Sequence, residues 1–392
     1  MIAQFFVASR DEKGGPDDLV LDPFCGSGTV ALEASVDGAT PLICDANPFA
    51  ALLTAVKTTP YNPEELLKGL DLIVSRKSSG KEIDFVDIVN WQLWYSARVK
   101  SELDVISSKI AQIDEQSIRD FFRICFASAA RRLSNADPLI SVPVRQKERD
   151  RHSSSVNERI RARQHWLAHA SAMDEFKRVC VDNIRRVILT NQAAPLRKPA
   201  ILVSRDAKNL ASVRDAGMKV PLIVTSPPYG SAQKYIRASS LALNWLGLAS
   251  PRELAVLESK SIGREHVSRS KELVCNRPIG DEFSEFVNGV RRVNSKRARI
   301  TELYLDEMHA SLSEMSDTLS DDGCAVIVIG NNQVCGSPLR NDDFVRQVLL
   351  SAGLELEMSL RDSIKSRGLM TKRNKTASII TTESILVFRK KT

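Results

Sequence analysis

The sequence predicts a doubly wound α/β sheet whose chain is interrupted by a large, mainly helical insertion. Its first 60 residues follow the order strand, glycine turn, helix, strand and acid, which is how such a sheet begins. Strand signals then stop near Asn62 and return just after Pro199. The sequence therefore predicts a discontinuous sheet domain formed by 1–60 and 199–392. A helical insertion occupies 61–198, and a smaller polar and basic insertion occupies 250–299.

The individual elements follow from hydrophobic runs and from the residues that bound them. Short apolar runs that end at a polar residue or a turn are typical of buried strands, and they predict strands at 19–21, 41–44, 200–203, 222–224, 324–329, 354–360 and 383–388. Longer runs with helical periodicity predict helices at 30–36, 48–57, 82–97, 116–133, 156–189, 239–248, 300–319 and 343–352. No predicted strand falls within the insertion, which is why it is expected to be helical.

Composition disfavours several classes of protein. No apolar run approaches the roughly 20 residues that a membrane helix needs, and no secretory signal opens the chain, so we expect a cytoplasmic protein. The seven cysteines are odd in number and lack a Cys-x-x-Cys pair, which disfavours a disulfide framework and a zinc site. His165 and His169 have no further ligand nearby, so no metal is expected. The net charge of +7 fits a nucleic-acid partner.

A glycine turn with the sequence Asp-Pro-Phe-Cys-Gly-Ser-Gly-Thr, at 22–29, follows the first predicted strand. A strand that turns through glycines into a helix presents backbone N–H groups, and Gly26 and Gly28 allow a ligand to approach closely. Asp45, at the end of the second strand, is well placed for ribose hydroxyls. Asp22 would repel phosphate and suits a cationic amino-acid group. Because the turn matches neither Gly-x-Gly-x-x-Gly nor a P-loop, a dinucleotide and a nucleoside triphosphate are disfavoured.

A second turn, Thr-Ser-Pro-Pro-Tyr-Gly at 225–230, follows another apolar strand. Its two prolines fix the backbone and remove two N–H donors, so that acceptors dominate the turn. Ser226 Oγ and the Pro227 carbonyl can accept hydrogen bonds from an amine on a planar ring, and Tyr229 can stack on that ring. A pocket that holds a base outside the duplex must supply both kinds of contact.

The two turns resemble the signature motifs of the amino-methyltransferases of DNA, which modify N4 of cytosine or N6 of adenine. The resemblance covers 1–60 and 199–392 and implies a Rossmann-like sheet, mostly parallel with an antiparallel last strand. The cofactor that it implies is S-adenosylmethionine, bound by Asp22, Pro23, Phe24, Cys25, Gly26, Gly28, Thr29, Asp45, Asp206 and Thr225. The catalytic residues that it implies are Ser226, Pro227, Pro228 and Tyr229.

Within this set the resemblance assigns separate roles. Asp22, Cys25, Gly26 and Gly28 would line the methionine end of the cofactor. Asp45 would hold the ribose, and Asp206, after the third strand, would lie near the adenine. Serine before the two prolines, at Ser226, is commoner among enzymes that act on cytosine, so cytosine N4 is favoured over adenine N6.

The expected chemistry is direct methyl transfer. Acceptors for both amine hydrogens make the nitrogen more nucleophilic, and they are preorganised where positive charge develops. The nitrogen, the methyl carbon and the sulfonium must also be aligned. Methylation of a ring carbon of cytosine would instead need a nucleophilic thiol, usually in a Pro-Cys pair, and the sequence contains no such pair.

The expected partner is double-stranded DNA with one base flipped out, within a restriction-modification or phage-defence system that would supply a further partner protein. Basic stretches at 145–163 and 291–299 are candidate contacts with the DNA backbone, as are Arg367, Lys372, Arg373 and Lys375. Two alternatives stay open: an RNA base methyltransferase, and a catalytically weak DNA-binding subunit that keeps the fold. Only 21 residues precede Asp22, and 1–10 is interpreted as a remnant of the upstream segment that closes the family's cofactor pocket.

Overall fold

The computed structural model describes residues 2–10, 18–75, 85–230, 234–267, 275, 277–364 and 380–391. The chain divides into two compact units. The sheet unit is formed by Met1–Thr59, Leu196–Tyr235 and Val256–Thr392, and the helical unit by Pro60–Pro195 and Ile236–Ala255. The basic residues Arg367, Lys372, Arg373 and Lys375 lie outside the described residues.

A seven-stranded sheet forms the centre of the sheet unit. Its strands are β1 Leu19–Asp22, β2 Thr40–Cys44, β3 Ile201–Ser204, β4 Val220–Thr225, β5 Leu319–Ile329, β8 Leu354–Ser363 and β9 Thr382–Lys390, while β6 Asn332–Val334 and β7 Ser337–Leu339 form a separate hairpin. The order across the sheet is β3-β2-β1-β4-β5-β9-β8. The first five of these strands pair in parallel, and β9 is antiparallel to both β5 and β8. The predicted doubly wound sheet with an antiparallel last strand is confirmed.

Hydrophobic clusters cover both faces of this sheet. Along β1, Leu19 and Leu21 join one cluster, whereas Val20 joins the other together with Val7. This alternation follows from the strand period of two, and it explains why β1 is apolar without interruption. The helices of this unit are α1 Ile2–Ala8, α2 Thr29–Val36, α3 Pro48–Thr58, α10 Ala211–Asp215, α13 Asp281–Val293, α14 Ser295–Thr318 and α15 Asn341–Ser351.

The helical unit contains no strand among its described residues. Its helices are α4 Pro63–Ser75, α5 Trp91–Trp94, α6 Ala97–Ile110, α7 Gln116–Leu133, α8 Ser154–His169, α9 Ala172–Ala193 and nearly all of α11 Tyr235–Trp245, while α12 Leu254–Lys260 crosses the boundary between the units. Aromatic side chains fill its core, where Phe122 contacts Phe121 and Phe176. The rings meet mostly edge to face, a favourable geometry for aromatic pairs.

Two predicted domain boundaries differ from the structure. The sequence assigns 236–255 to the sheet domain, but these residues belong to the helical unit. The reason is Trp245, which donates from Nε1 to Tyr95 Oη over 3.0 Å and packs edge-on against Phe126 at 5.3 Å. Within the polar insertion predicted at 250–299, α13 buries Phe283 and two valines in the core of the sheet unit.

Two helix predictions in the insertion also need correction. A single helix is predicted over 156–189, whereas α8 and α9 are separate, since Ala170 is extended and Ser171 Oγ caps α9 by accepting from Asp174 N. A helix is predicted over 82–97, but the described part of that range is helical only in the single turn of α5 and at Ala97, where α6 begins. In both places a serine accepts a backbone N–H and fixes a new helix start, a local capping effect.

Candidate active site at the carboxyl edge of the sheet

The two turns singled out in the sequence lie side by side, after the neighbouring central strands β1 and β4. Thr225, the last residue of β4, is buried and donates from Oγ1 to Asp22 Oδ1 over 2.7 Å. This bond joins segments that are 203 residues apart in sequence. The chain order reverses between β1 and β4, and doubly wound sheets bind their ligands at such a switch point.

Asp22 is held in a buried position with neutral hydrogen-bond donors. Its Oδ1 also accepts from Phe24 N over 3.1 Å, and the residue is 4% exposed. Burial raises the pKa of Asp22 to about 7, an effect that nearby Asp45 reinforces and that the bonds from Thr225 and Phe24 oppose. No cationic side chain contributes to this pKa in the part of the chain that the structure describes. A cationic ligand would therefore supply the charge partner that Asp22 lacks.

The glycine turn depends on its two glycines for different reasons. Gly26 and Gly28 both have positive φ, at 49° and 75°. A Cβ at Gly28 would lie 2.6 Å from Thr54 Oγ1 on α3, whereas one at Gly26 would meet nothing closer than 3.8 Å. Gly28 thus allows α3 to pack against the turn, while Gly26 leaves an exposed surface. Thr29, at the start of α2, is also exposed.

The remaining predicted residues of this turn are mostly covered. Pro23 and Cys25 are buried, and Phe24 packs against the larger hydrophobic cluster. Cys25 N donates to the Cys44 carbonyl over 3.0 Å, which fixes the turn to the end of β2. Burial raises the pKa of the Cys25 thiol well above its usual range, so this thiol is not a nucleophile.

Asp45 braces the glycine turn. Its Oδ2 accepts from Gly26 N over 2.9 Å, and its Oδ1 accepts from Asn47 N over 2.8 Å. Burial raises the pKa of Asp45, which these two hydrogen bonds oppose. Each carboxylate oxygen has a further lone pair, so the expected contact with ribose hydroxyls is compatible with this bracing role.

Asp206 lies after β3 at the same edge of the sheet. Its side chain is 52% exposed, accepts from Lys208 N through Oδ1 and lies 3.6 Å from Lys208 Nζ. The positive charge of Arg205, directly before it, acts on Asp45. The ends of β2 and β3 are therefore close together, as a parallel pair requires.

The Ser-Pro-Pro-Tyr turn is held from outside by two side chains. Tyr304 Oη donates to the Pro228 carbonyl over 2.9 Å, and Asn332 Nδ2 donates to the carbonyls of Tyr229 and Gly230. Among the described residues no hydrogen bond uses the Pro227 carbonyl, which leaves it able to accept. Ser226 is exposed, whereas Pro227 is buried.

Tyr229 lies beneath this turn in a chain of hydrogen bonds. Its Oη is 3.0 Å from Ser226 Oγ and donates to Glu383 Oε1 over 2.8 Å. Tyr229 is 6% exposed, and a Cβ at Gly330 would lie 3.0 Å from its ring. Burial, more than any other cause, raises the pKa of the Tyr229 hydroxyl, so this group keeps its proton. Stacking of a base on the ring stays a prediction.

Sequence reasoning missed three residues of this site. Tyr304, Asn332 and Glu383 come from α14, the hairpin and β9, far along the chain from the turn that they hold. One signal was available for Glu383, because it is the acid that precedes the apolar run 385–388. A charged side chain that is drawn into a buried element is commonly paired.

The predicted basic stretches have partners within the protein. Arg161 on α8 pairs with Glu148 at 2.8 Å, and Arg291 on α13 pairs with Glu302 at 2.8 Å. Arg163 donates to main-chain carbonyls, including that of Ser134. Their role as contacts with a nucleic acid stays a prediction.

Two features are absent from the part of the chain that the structure describes, a metal-binding cluster and a membrane-spanning helix. No group of three or more His, Cys, Asp or Glu side chains there could hold a metal ion. None of the helices there is both long and apolar enough to cross a membrane.

Comparison with known proteins gives three findings. The UPF0020 family model, described as an RMKL-like methyltransferase domain, matches residues 3–108. The Type II methyltransferase M.MvaI of Kocuria varians is 22% identical over an alignment of 398 positions, which covers 94% of this chain and 84% of the relative. The structure of the rRNA methyltransferase aviRa of Streptomyces viridochromogenes aligns with 99% of this chain and 82% of its own chain, at 10% sequence identity. The TM-score of 0.33 is too low to bear on substrate. The first two matches confirm the resemblance to methyltransferases of the DNA-modifying kind, and the amino-methyltransferase type stays a prediction.

Proposed function

We propose that this chain, a methyltransferase that resembles the DNA methyltransferase family, transfers a methyl group directly to the exocyclic amine of a base flipped out of double-stranded DNA. Cytosine N4 is the favoured target over adenine N6. The observation that carries the proposal is the Thr225–Asp22 bond, because it places the exposed Ser226 beside the glycine turn. A ligand on the glycine turn and an amine on Ser226 would then be neighbours, as direct transfer requires.

The glycine turn fits S-adenosylmethionine as the methyl donor. Asp22 is a buried carboxyl whose pKa is raised to about 7, and a cationic amino-acid group would stabilise its ionised form. Gly26 and Thr29 are exposed for contact, Asp45 would accept from the ribose, and Asp206 would lie near the adenine. When bound, the cofactor supplies an electrophilic methyl group on a sulfonium.

The Ser-Pro-Pro-Tyr turn fits an amine as the acceptor of that methyl group. Ser226 Oγ and the Pro227 carbonyl are two acceptors, and an exocyclic amine has two N–H donors. Hydrogen bonds to both N–H groups stabilise the positive charge that develops on nitrogen during transfer. The buried thiols Cys25 and Cys44 have raised pKa values, which supports a mechanism without a cysteine adduct.

DNA is proposed as the substrate because M.MvaI, the relative that this chain matches over most of its length, is a Type II methyltransferase. The preference for cytosine rests on the serine, Ser226, that precedes the two prolines. A role in restriction-modification or phage defence, with a partner protein of such a system, follows from the same resemblance. The positive net charge of +7 supports a polyanionic substrate.

The test is nucleoside mass spectrometry after incubation with isotope-labelled S-adenosylmethionine and, separately, duplex DNA and RNA. We expect labelled N4-methylcytosine from DNA in the wild type, and none in the Ser226→Ala variant. If label appeared only in RNA, RNA and not DNA would be the substrate. If label appeared only on adenine N6, the cytosine preference would be overturned. Cofactor binding without any labelled nucleoside would instead favour a DNA-binding subunit.

A further inference from the structure

A carboxylate ends the hydrogen-bond chain that starts at Ser226. Glu383 is the second residue of β9, is half-buried, and accepts from Tyr229 Oη over 2.8 Å. Tyr229 Oη lies 3.0 Å from Ser226 Oγ, and Ser226 is the exposed end of the chain. The three groups therefore connect the surface of the Ser-Pro-Pro-Tyr turn with an acid from the antiparallel strand.

The charge of Glu383 fixes the direction of every hydrogen bond in this chain. An ionised carboxylate can only accept, so Tyr229 must use its single proton to donate to Glu383. The Tyr229 oxygen is then left with lone pairs, so Ser226 donates to it. Ser226 Oγ, having used its own proton, presents only lone pairs at the exposed side. An exocyclic amine can donate to such a group, whereas a ring carbonyl oxygen cannot.

We propose that Glu383 is a positioning residue that makes Ser226 an obligate hydrogen-bond acceptor and that receives, through Tyr229, the proton lost by the methylated amine. The inference rests on the proposed function and deepens it. It explains how a serine, which could donate as well as accept, selects an amine over a carbonyl group at the target position.

The proton path balances without any further reactant. Methyl transfer forms the N–C bond, breaks the C–S bond and leaves a positively charged amine with one proton in excess. That proton moves to Ser226 Oγ as the serine proton moves to Tyr229 Oη and the tyrosine proton moves to Glu383. The amine becomes neutral, Glu383 becomes neutral, and every hydrogen bond of the chain reverses its direction. Because Glu383 is only half-buried, it can return the proton to water.

The surroundings hold this chain in place. The main chain of Tyr229 is fixed by Asn332 Nδ2, and Gly330 leaves room for the tyrosine ring. Next to Glu383, Ser384 donates to Asp342 Oδ2 over 2.9 Å, which anchors the start of β9 to α15. The raised pKa of Tyr229 favours a neutral hydroxyl that relays a proton without losing it for long.

The first test replaces Glu383 and measures the single-turnover rate of methyl transfer to duplex DNA. Glu383→Gln keeps the shape but loses the charge, and its amide can donate, so the direction of the chain is no longer fixed. We expect a rate roughly a hundredfold lower, the size of a typical proton-transfer contribution, with unchanged cofactor affinity by calorimetry. Glu383→Asp, which keeps the charge, should recover at least about a tenth of the wild-type rate. Glu357→Gln is the matched control, because Glu357 on β8 is exposed and pairs only with Arg389 among the described residues.

The second test asks whether the groups act as one chain. Tyr229→Phe removes the hydroxyl and keeps the ring, and it should slow transfer about as much as Glu383→Gln. The double variant should be no slower than the slower single variant, because members of one network are not additive. A Glu383→Gln rate within about threefold of the wild type, or multiplied effects in the double variant, would overturn the inference. If Glu383→Gln does not fold, a fully active Tyr229→Phe overturns it equally. Absence of any amine methylation by the wild type would instead refute the proposed function.

Discussion

The glycine turn and the Ser-Pro-Pro-Tyr turn lie at one edge of the sheet, yet they hold their acids in opposite ways. Asp22 is 4% exposed, and its pKa is raised to about 7 by burial. Glu383 is half-buried and accepts from a neutral hydroxyl that leads to the surface. Asp22 lacks a cation among the groups that set its pKa, whereas Glu383 ends a complete hydrogen-bond chain.

The two turns therefore differ in how far each is organised before its ligand binds. On the proposed cofactor side the protein keeps a buried carboxyl whose ionised form a cationic ligand would stabilise. On the proposed base side the hydrogen-bond chain from Ser226 through Tyr229 to Glu383 is already in place. Binding should therefore depend on Asp22, and the rate of transfer on the chain from Ser226 to Glu383.

The largest effect is expected from Tyr229→Ala. The change removes the middle of the hydrogen-bond chain and leaves a cavity beside Gly330, so methyl transfer should be abolished while cofactor binding by calorimetry is retained. Loss of a buried aromatic ring should also cost about 3 kcal/mol of unfolding free energy. Tyr61→Ala is the control, because Tyr61 is equally buried but lies in the helical unit. It should lower stability without abolishing transfer, and a fully active Tyr229→Ala would refute the role of this turn.

A smaller effect is expected in the pH dependence of cofactor binding. With a pKa of about 7, Asp22 is mostly neutral at pH 6 and mostly ionised at pH 8. Affinity for S-adenosylmethionine should therefore be roughly tenfold tighter at the higher pH. Asp22→Asn keeps an acceptor for Thr225 and removes the charge, so its affinity should be weaker and should change only with the titration of the cofactor itself. Equal pH profiles in the two proteins would contradict the proposed role of Asp22.

The same carboxyl should make stability depend on pH in the ligand-free protein. Because its pKa rises from 3.8 to about 7 on folding, the folded state binds more protons between these values. The free energy of unfolding should then fall as the pH rises through this window. Denaturant unfolding of the wild type and of Asp22→Asn, compared at pH 5 and pH 8, should show the smaller decline in the variant.

The smallest effect is expected from Gly28→Ala, measured against Gly38→Ala. Both glycines have positive φ, at 75° and 88°, so alanine costs about 1 kcal/mol of backbone strain at each. At Gly28 the new Cβ would also lie 2.6 Å from Thr54, whereas at Gly38 nothing lies within 4 Å. Thermal melts should therefore place Gly28→Ala below Gly38→Ala, and cofactor binding should weaken only in the former. Equal melting temperatures would show that α3 moves away at no cost.

The sequence predicts the sheet and both turns because their signals are local. Each strand is a short apolar run, and the glycine and proline turns directly follow two of them. The two turns lie together because carboxyl ends of parallel strands meet at one edge, but the hydrogen bond between Asp22 and Thr225 was not predicted. The three residues that complete the base side could not be predicted in this way, because Tyr304, Asn332 and Glu383 are brought there by topology alone.

The helical unit is less predictable for a related reason. Helical periodicity shows which face of α7 is buried, but it does not show what covers that face. Trp245 lies about 110 residues beyond α7 and still packs against Phe126, which moves 236–255 out of the predicted sheet domain. Single capping residues such as Ser171 then decide where long helical patterns break.

The most direct test of the central claim is the mapping of methylated bases in genomic DNA from cells that express the wild type or Ser226→Ala. Direct transfer to the amine of cytosine predicts N4-methylcytosine at a defined sequence in the wild type and its absence in the variant. Methylation at carbon 5 of cytosine would contradict the account, because it needs a thiol nucleophile, whereas burial raises the pKa of the Cys25 and Cys44 thiols beside the glycine turn. Equal methylation by both proteins would contradict the assignment of Ser226.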